Sequence, residues 1–289
     1  MAASGHSTTG RLSMRLSLIQ MNSADEPAAN VAKAEGLIDE AVEAERPDLV
    51  VLPEFFNTIY FAQHRDYAYM DLAEPEKGPT TTAMRAKARE HGVHLVSTIY
   101  EEESAGVYYD TAMLIDREGE IVGKYRKAQP AAVRSLEKIY FRYGSRFPVF
   151  EVDGWRVGFI VCYDTFFPES ARCVTLNGAE LIVVPFASPH QVLWRDVIRT
   201  RAFENGAYFA PCNKVGSEDD WTFGGQSMIV DPLGEVLAEA DDVSERIVSA
   251  SISREAVREA RRRYPMQRDR RPDLYRPICT PTEDLTPAG

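Results

Sequence analysis

Apolar positions along the chain follow two periods. The stretch "MRLSLIQMN" alternates as a strand does, and "AANVAKAEGLIDEAVEAE" returns apolar residues at the spacing of one helix face. "RPDLVVLPE" then reads as a buried strand after a proline-marked turn, with a helix over about 80–91. Three β-like runs follow, "VHLVSTIYEE", "VYYDTAMLID" and "EIVGKYRK", the last two joined by the hairpin turn in "DREGE". After a long irregular stretch the alternation resumes. "FPVFEV", "WRVGFIVC" and "AELIVVPFA" predict strands, with helices over 168–177 and 191–205. "YFAPCNKVG", "GQSMIVDPLGEVLAEA" and "ERIVSASIS" continue the β pattern, and a basic helix, "REAVREARRR", closes it. Strands alternate with helices in both halves and no Gly/Ser-rich linker divides them, so the pattern predicts one α/β domain over 14–279. Loose tails are expected over 1–13 and 280–289.

The 289 residues suffice for a substantial core. Apolar residues make up 44% and charged residues 27%, the balance of an ordinary globular chain. A formal net charge of -11 argues against a nucleic acid partner, whose phosphates would be repelled. The apolar runs fall short of the about 18 residues a membrane span requires, and the first residues have no apolar signal segment. A cytoplasmic protein without a membrane partner is expected. Cys162, Cys173, Cys212 and Cys279 are scattered, with neither disulfide-framework nor metal spacing, and reduced thiols are expected. Cys173 is expected to pack inward from its helix.

Candidate chemistry collects at strand ends. Glu54 in "VVLPEFF", Lys127 in "GKYRK" and Cys162 in "GFIVCYD" each close a β-like run, and reactive groups in α/β sheets gather at the carboxyl ends of strands. Cys162 also sits at a strand-to-helix corner, where free N–H groups stabilise anions. Singly, each has a plain reading as an exposed strand-end charge or a small core hydrophobe. Other signals are thinner. His91 and His94 in "HGVH" have no third ligand, Ser227 in "GGQSMIV" has no full nucleophile elbow, and His190 is the histidine nearest Cys162 in sequence for a papain-like pair.

Taken together, "LPE", "YRK", "EKIYF" and "CYDTFFPE", in this order, resemble the nitrilase superfamily of carbon–nitrogen hydrolases over residues 14–278. The resemblance implies an αββα sandwich with mixed sheets and outer helices, assembled as a homodimer or larger homo-oligomer. It implies a Glu54, Lys127 and Cys162 active site, with a second glutamate carried over to Glu137. The chemistry is set by residue types: Glu54 as general base for the Cys162 thiol, Lys127 for the developing negative charge, and Glu137 to hold Lys127 or to orient the substrate. None of these steps requires a metal or an organic cofactor.

The neighbourhood of the cysteine narrows the substrate to a small ureido or amide compound. True nitrilases typically carry Trp-Glu after the cysteine, and this chain has Tyr163-Asp164. Members acting on N-carbamoyl-D-amino acids place arginines shortly after it to hold a carboxylate; here Thr165 and Phe166 stand there. The aromatic "YDTFFPE" turn is closer to the branch acting on N-carbamoylputrescine, giving amine, CO2 and ammonia. Tyr60, Tyr163, Phe166, Phe167, Ser188 and Trp194 are the candidate pocket residues. Arg195 and Arg199 are candidates for a displaced carboxylate clamp, with surface ion pairing as the alternative. Gln129 replaces the histidine common after "YRK". A linear ω-amide or an N-carbamoyl-amino acid is the alternative substrate, and a silent binding protein on the same fold is the non-enzymatic alternative.

Overall fold

The computed structural model describes residues 11–190 and 192–280. The expected tails fall mostly outside these residues. Two six-stranded mixed sheets form the centre. The first comprises β1 (Ser13–Gln20), β2 (Leu49–Val51), β3 (His94–Ser104), β4 (Val107–Ile115), β5 (Ile121–Arg126) and β14 (Arg246–Ser253), in the order β14-β1-β2-β3-β4-β5. The second comprises β6 (Val149–Val152), β7 (Trp155–Phe159), β8 (Leu181–Phe186), β9 (Tyr208–Asn213), β12 (Met228–Val230) and β13 (Val236–Glu239), in the order β13-β12-β9-β8-β7-β6. In each, three adjacent strands run parallel, β1-β2-β3 and β7-β8-β9, with antiparallel strands on both sides. A separate hairpin, β10 (Val215–Glu218) and β11 (Trp221–Gly224), leaves the end of β9.

The two-residue period of the strands decides the layers. Leu49 and Val51 join the core between the sheets, where they meet Val157, Phe159, Leu181 and Val183 of the second sheet. Val50 and Leu52 point the other way, onto Ala34 and Ile38 of α1 (Pro27–Glu45) and Met84 and Ala88 of α2 (Pro79–His91). On the second sheet's outer face lie α4 (Pro168–Leu176) and α5 (Trp194–Asn205), whose Val174, Ile198 and Ala202 are buried. The result is an αββα sandwich. A short helix, α3 (Glu137–Tyr140), interrupts the irregular stretch after β5, and α6 (Arg254–Arg263) is the basic helix. No helix among the described residues is long and apolar enough to cross a membrane.

Two local expectations are corrected. The helix expected from 191 starts at Trp194, and Gln191 itself lies outside the described residues. Cys173 is exposed, because α4 turns Ala171, Val174 and Thr175 toward the sheet and so directs residue 173 outward. Helix α4 opens at Pro168, as expected, after a 3-10 turn, Cys162–Phe166, that carries the cysteine.

Candidate active site

Both sheets contribute to one buried cluster. Glu54 follows β2, Asp110 lies on β4, Lys127 follows β5 and Cys162 follows β7. The turns that carry the reactive groups are held in unusual backbone. Phe55, next to Glu54, has φ +53°, and Cys162 has φ +43°. Left-handed backbone costs a non-glycine residue about 1–2 kcal/mol, and it persists where surrounding contacts fix it. Behind Phe55 those contacts come from Lys214, fully buried, which donates to the carbonyls of Phe55 (3.1 Å) and Thr58 (3.0 Å) and pairs with Glu218 (2.5 Å). Glu218 in turn accepts the Tyr60 N–H at 2.6 Å. Beside Cys162, the buried Asp164 accepts from Val161 N (3.0 Å), Gln129 N (2.8 Å) and the Tyr125 hydroxyl (2.6 Å), which ties the cysteine turn to the loop that follows Lys127. Burial pushes the Asp164 carboxyl up to about 6, against these three donors. Gln129, where a histidine is usual, therefore serves as a strut through its backbone.

Lys127 is the hub. Its Nζ lies 2.6 Å from Glu54 Oε1, 2.7 Å from Glu137 Oε2 and 3.4 Å from Asp110 Oδ2, and all four side chains are at most 1% exposed. Carboxylate oxygens of Glu54, Asp110 and Glu137 lie within 4.8 Å of one another, with the ammonium as their common cation. Three acids against one base cannot all stay ionised without water. Burial, opposed by Lys127 and reinforced by Asp110 and Glu137, holds the Glu54 carboxyl well above the usual carboxylate range. Burial raises Asp110 as well. For Lys127, burial works downward, and Glu137 and Glu54 outweigh it and keep the ammonium charged.

Cys162 is 7% exposed, and burial pushes its thiol well above the ordinary range; Glu54 adds to the rise, while Lys127 and the Ala187 backbone N–H oppose it. Burial thus favours the neutral thiol over the thiolate. A raised thiol is the form for which the sequence assigns Glu54 as general base.

Above the cluster opens a cavity of about 250 Å³ lined by Tyr60, Glu137, Cys162, Tyr163, Phe166 and Ser188, among others. Glu137 faces it with its oxygens engaged: Oε1 accepts from the Tyr60 hydroxyl (2.8 Å), and Oε2 accepts from Ala131 N (2.7 Å) beside Lys127. Trp194 does not line this cavity. Its ring packs edge-on against Phe186, 4.6 Å between centroids, and its Nε1 donates to the Gln226 carbonyl, so the indole is spent on the core. Phe167 packs edge-on against Tyr163 instead of lining the cavity. Arg195 pairs with Glu239 and Arg199 donates to the Gly234 carbonyl (2.7 Å); both brace the β12-β13 hairpin, away from the cavity. His91 and His94 bond to Asp39 and Asp153 separately and do not converge. Sequence reasoning missed Asp110, Asp164 and Lys214. The first lies mid-strand and the others in polar runs, so no spacing signals them.

The model of the carbon–nitrogen hydrolase family matches residues 15–262. The N-carbamoylputrescine amidase of Arabidopsis thaliana is 33% identical over 285 residues, covering 92% of this chain and 95% of the relative. The 2-oxoglutaramate amidase of Bacillus subtilis (strain 168) is 36% identical over 252 residues, covering 86% and 94%. Among solved structures, a mutant of the amidase from Nesterenkonia sp. AN1, showing covalent addition of the acetamide moiety of fluoroacetamide at its active site cysteine, superposes with a TM-score of 0.78. It is 26% identical and covers 91% of this chain and 96% of its own. This chain therefore belongs to the carbon–nitrogen hydrolase family, within the nitrilase superfamily, and is a hydrolase of carbon–nitrogen bonds other than peptide bonds.

Proposed function

We propose that the protein is a cysteine-dependent amidohydrolase that cleaves a terminal ureido or primary carboxamide group through a thioester on Cys162. The observation that carries this reading is the buried Glu54, Lys127 and Glu137 cluster beneath a cavity that Cys162 also lines. Glu54 removes the thiol proton, and the sulfur attacks the carbonyl carbon. Negative charge on the oxygen develops beside the Lys127 ammonium and the backbone N–H that follows Cys162. Collapse breaks the C–N bond as Glu54 returns its proton to the leaving nitrogen. Water, deprotonated by Glu54, then releases Cys162. A ureido substrate gives an amine and a carbamoyl thioester, which ends as CO2 and ammonia; a carboxamide gives ammonia and an acid.

N-carbamoylputrescine is the amine-ended ureido candidate, to be compared with the acid-ended ones. It is supported by the aromatic Tyr60, Tyr163 and Phe166 lining and by the N-carbamoylputrescine amidase relative. The ω-amide reading is supported by the 2-oxoglutaramate amidase relative. Ammonia release from N-carbamoylputrescine, an N-carbamoyl-amino acid and an ω-amide, with Cys162→Ala as blank, tests the proposal. The variant should lose turnover by about three orders of magnitude or more. Full turnover by Cys162→Ala would end the thioester mechanism.

A further inference from the structure

In a hydrolase of this kind, a reading on which the assignment of Arg134 below rests, the end of the substrate remote from the scissile bond meets a different set of residues. Arg134 lines the same cavity as Cys162 and Glu137, and its side chain is exposed. It has neither an ion pair nor a hydrogen bond among the described residues. Its backbone is left-handed, φ +53°, a conformation that a β-carbon resists and that surrounding contacts must impose. Those contacts flank it closely. Ala131 N donates to Glu137, the Ser135 hydroxyl meets the Tyr60 hydroxyl at 2.7 Å, and Leu136 N donates to the Ala62 carbonyl at 2.7 Å. A loop pinned on both sides thus presents a free guanidinium at the cavity wall.

The charges on offer to a ligand are unequal. Glu137 is the one acid among the described lining residues, and its oxygens are already occupied by Tyr60, Ala131 and Lys127. An ammonium-ended substrate therefore finds no unpaired carboxylate among the described residues of this cavity. The acids Asp220 and Asp242 line an adjoining outer cavity of about 510 Å³, which shares Arg134, His190 and Trp221 with the inner one. At a formal net charge of -11 the chain as a whole repels anions, so an anionic substrate needs a local cation to hold it.

We propose that Arg134 binds the carboxylate of the substrate, which makes the substrate class an ω-amide or ureido derivative of a carboxylic acid and not of an amine. A guanidinium receives a carboxylate through two parallel N–H donors, with geometry that an ammonium lacks. The carboxylate site then comes from the loop between β5 and α3, in place of Arg195 and Arg199 on α5.

Matched substrates separate the two ends of the molecule. N-carbamoyl-β-alanine is compared with N-carbamoylputrescine, and succinamate with butyramide, by ammonia release in the unmodified protein, Arg134→Ala and Arg134→Lys. The acid of each pair should be preferred. Arg134→Ala should lower the acid-to-partner ratio of kcat/KM by about tenfold to a hundredfold, chiefly through KM, and Arg134→Lys should recover part of it. Glutarate binding by calorimetry reads the same contact without turnover and should weaken in Arg134→Ala. An unchanged ratio in Arg134→Ala, or preference for the amine with glutarate unbound, overturns the assignment; ammonia from any of the four compounds still leaves the hydrolase reading standing. Release from none of them, with glutarate held through Arg134, would strike the hydrolase reading and retain the anion site.

Discussion

Glu54 and Asp110 show how a residue's chemistry depends on what shares its hydrogen bonds. Among the described residues Glu54 Oε2 has no donor and Asp110 Oδ2 has only the Lys127 ammonium at 3.4 Å, and both are buried, so one proton held between the two carboxyls would serve both oxygens. Glu54 must be ionised to accept the Cys162 proton. Asp110, beside Lys127 and Glu137, raises the Glu54 carboxyl by its charge and by this hydrogen bond. Replacing Asp110 with asparagine removes both effects, so the acid limb of the kcat/KM profile should move to lower pH. A limb in the same place, measured between pH 4 and 8 on folded protein, would show that Asp110 does not hold the proton. Glu54, Lys127 and Cys162 are legible in the sequence because each ends a β-like run. Asp110 is not, because it sits mid-strand in "VYYDTAML", where a polar residue reads as the solvent side of the alternation. Pairing of β4 between β3 and β5 sets it against the Lys127 ammonium and buries it instead.

At the scale of elements, the site depends on struts between turns. Lys214 opens the link from β9 to β10, yet it fixes the Glu54 turn through the carbonyls of Phe55 and Thr58. Lys214→Met would leave Glu218 buried without its cation and should cost about 3–5 kcal/mol in urea unfolding, with activity lost alongside. A loss under 1 kcal/mol would mean that the turn holds itself. Strand β7 shows the same economy of space. A methyl on Gly158 would meet Val174 Cγ1 of α4 at 2.0 Å, so Gly158→Ala should destabilise by about 1–3 kcal/mol, read as a lower Tm. An unchanged Tm would mean that α4 shifts freely on the sheet. Strand and helix positions were readable from period, and their contacts were not, because period reports which face is apolar and not which neighbour meets it.

At the scale of the molecule, one sheet brings Glu54, Asp110 and Lys127 and the other brings Cys162, so neither sheet alone contains the site. Assembly is expected to go further. The family resemblance implies a homo-oligomer, and Leu176, Phe203, Leu274 and Ile278, between 36% and 62% exposed near the outer helices and the C-terminal turns, offer apolar surface to a second copy. Light scattering should give at least twice the chain mass, and a monomer at micromolar concentration would count against it. By itself the sequence determined the alternation of strands and helices, the motif order, and three reactive residues at strand ends, because local period and residue type are properties of the chain. Tertiary structure alone decided that Trp194 belongs to the core, that Arg195 and Arg199 brace a hairpin, that Asp110 joins the acids around Lys127, and that Arg134 has no partner among the described residues at the cavity. Each of those outcomes depends on which distant segment supplies or withholds a partner, and on how far burial removes the water that would otherwise serve as one.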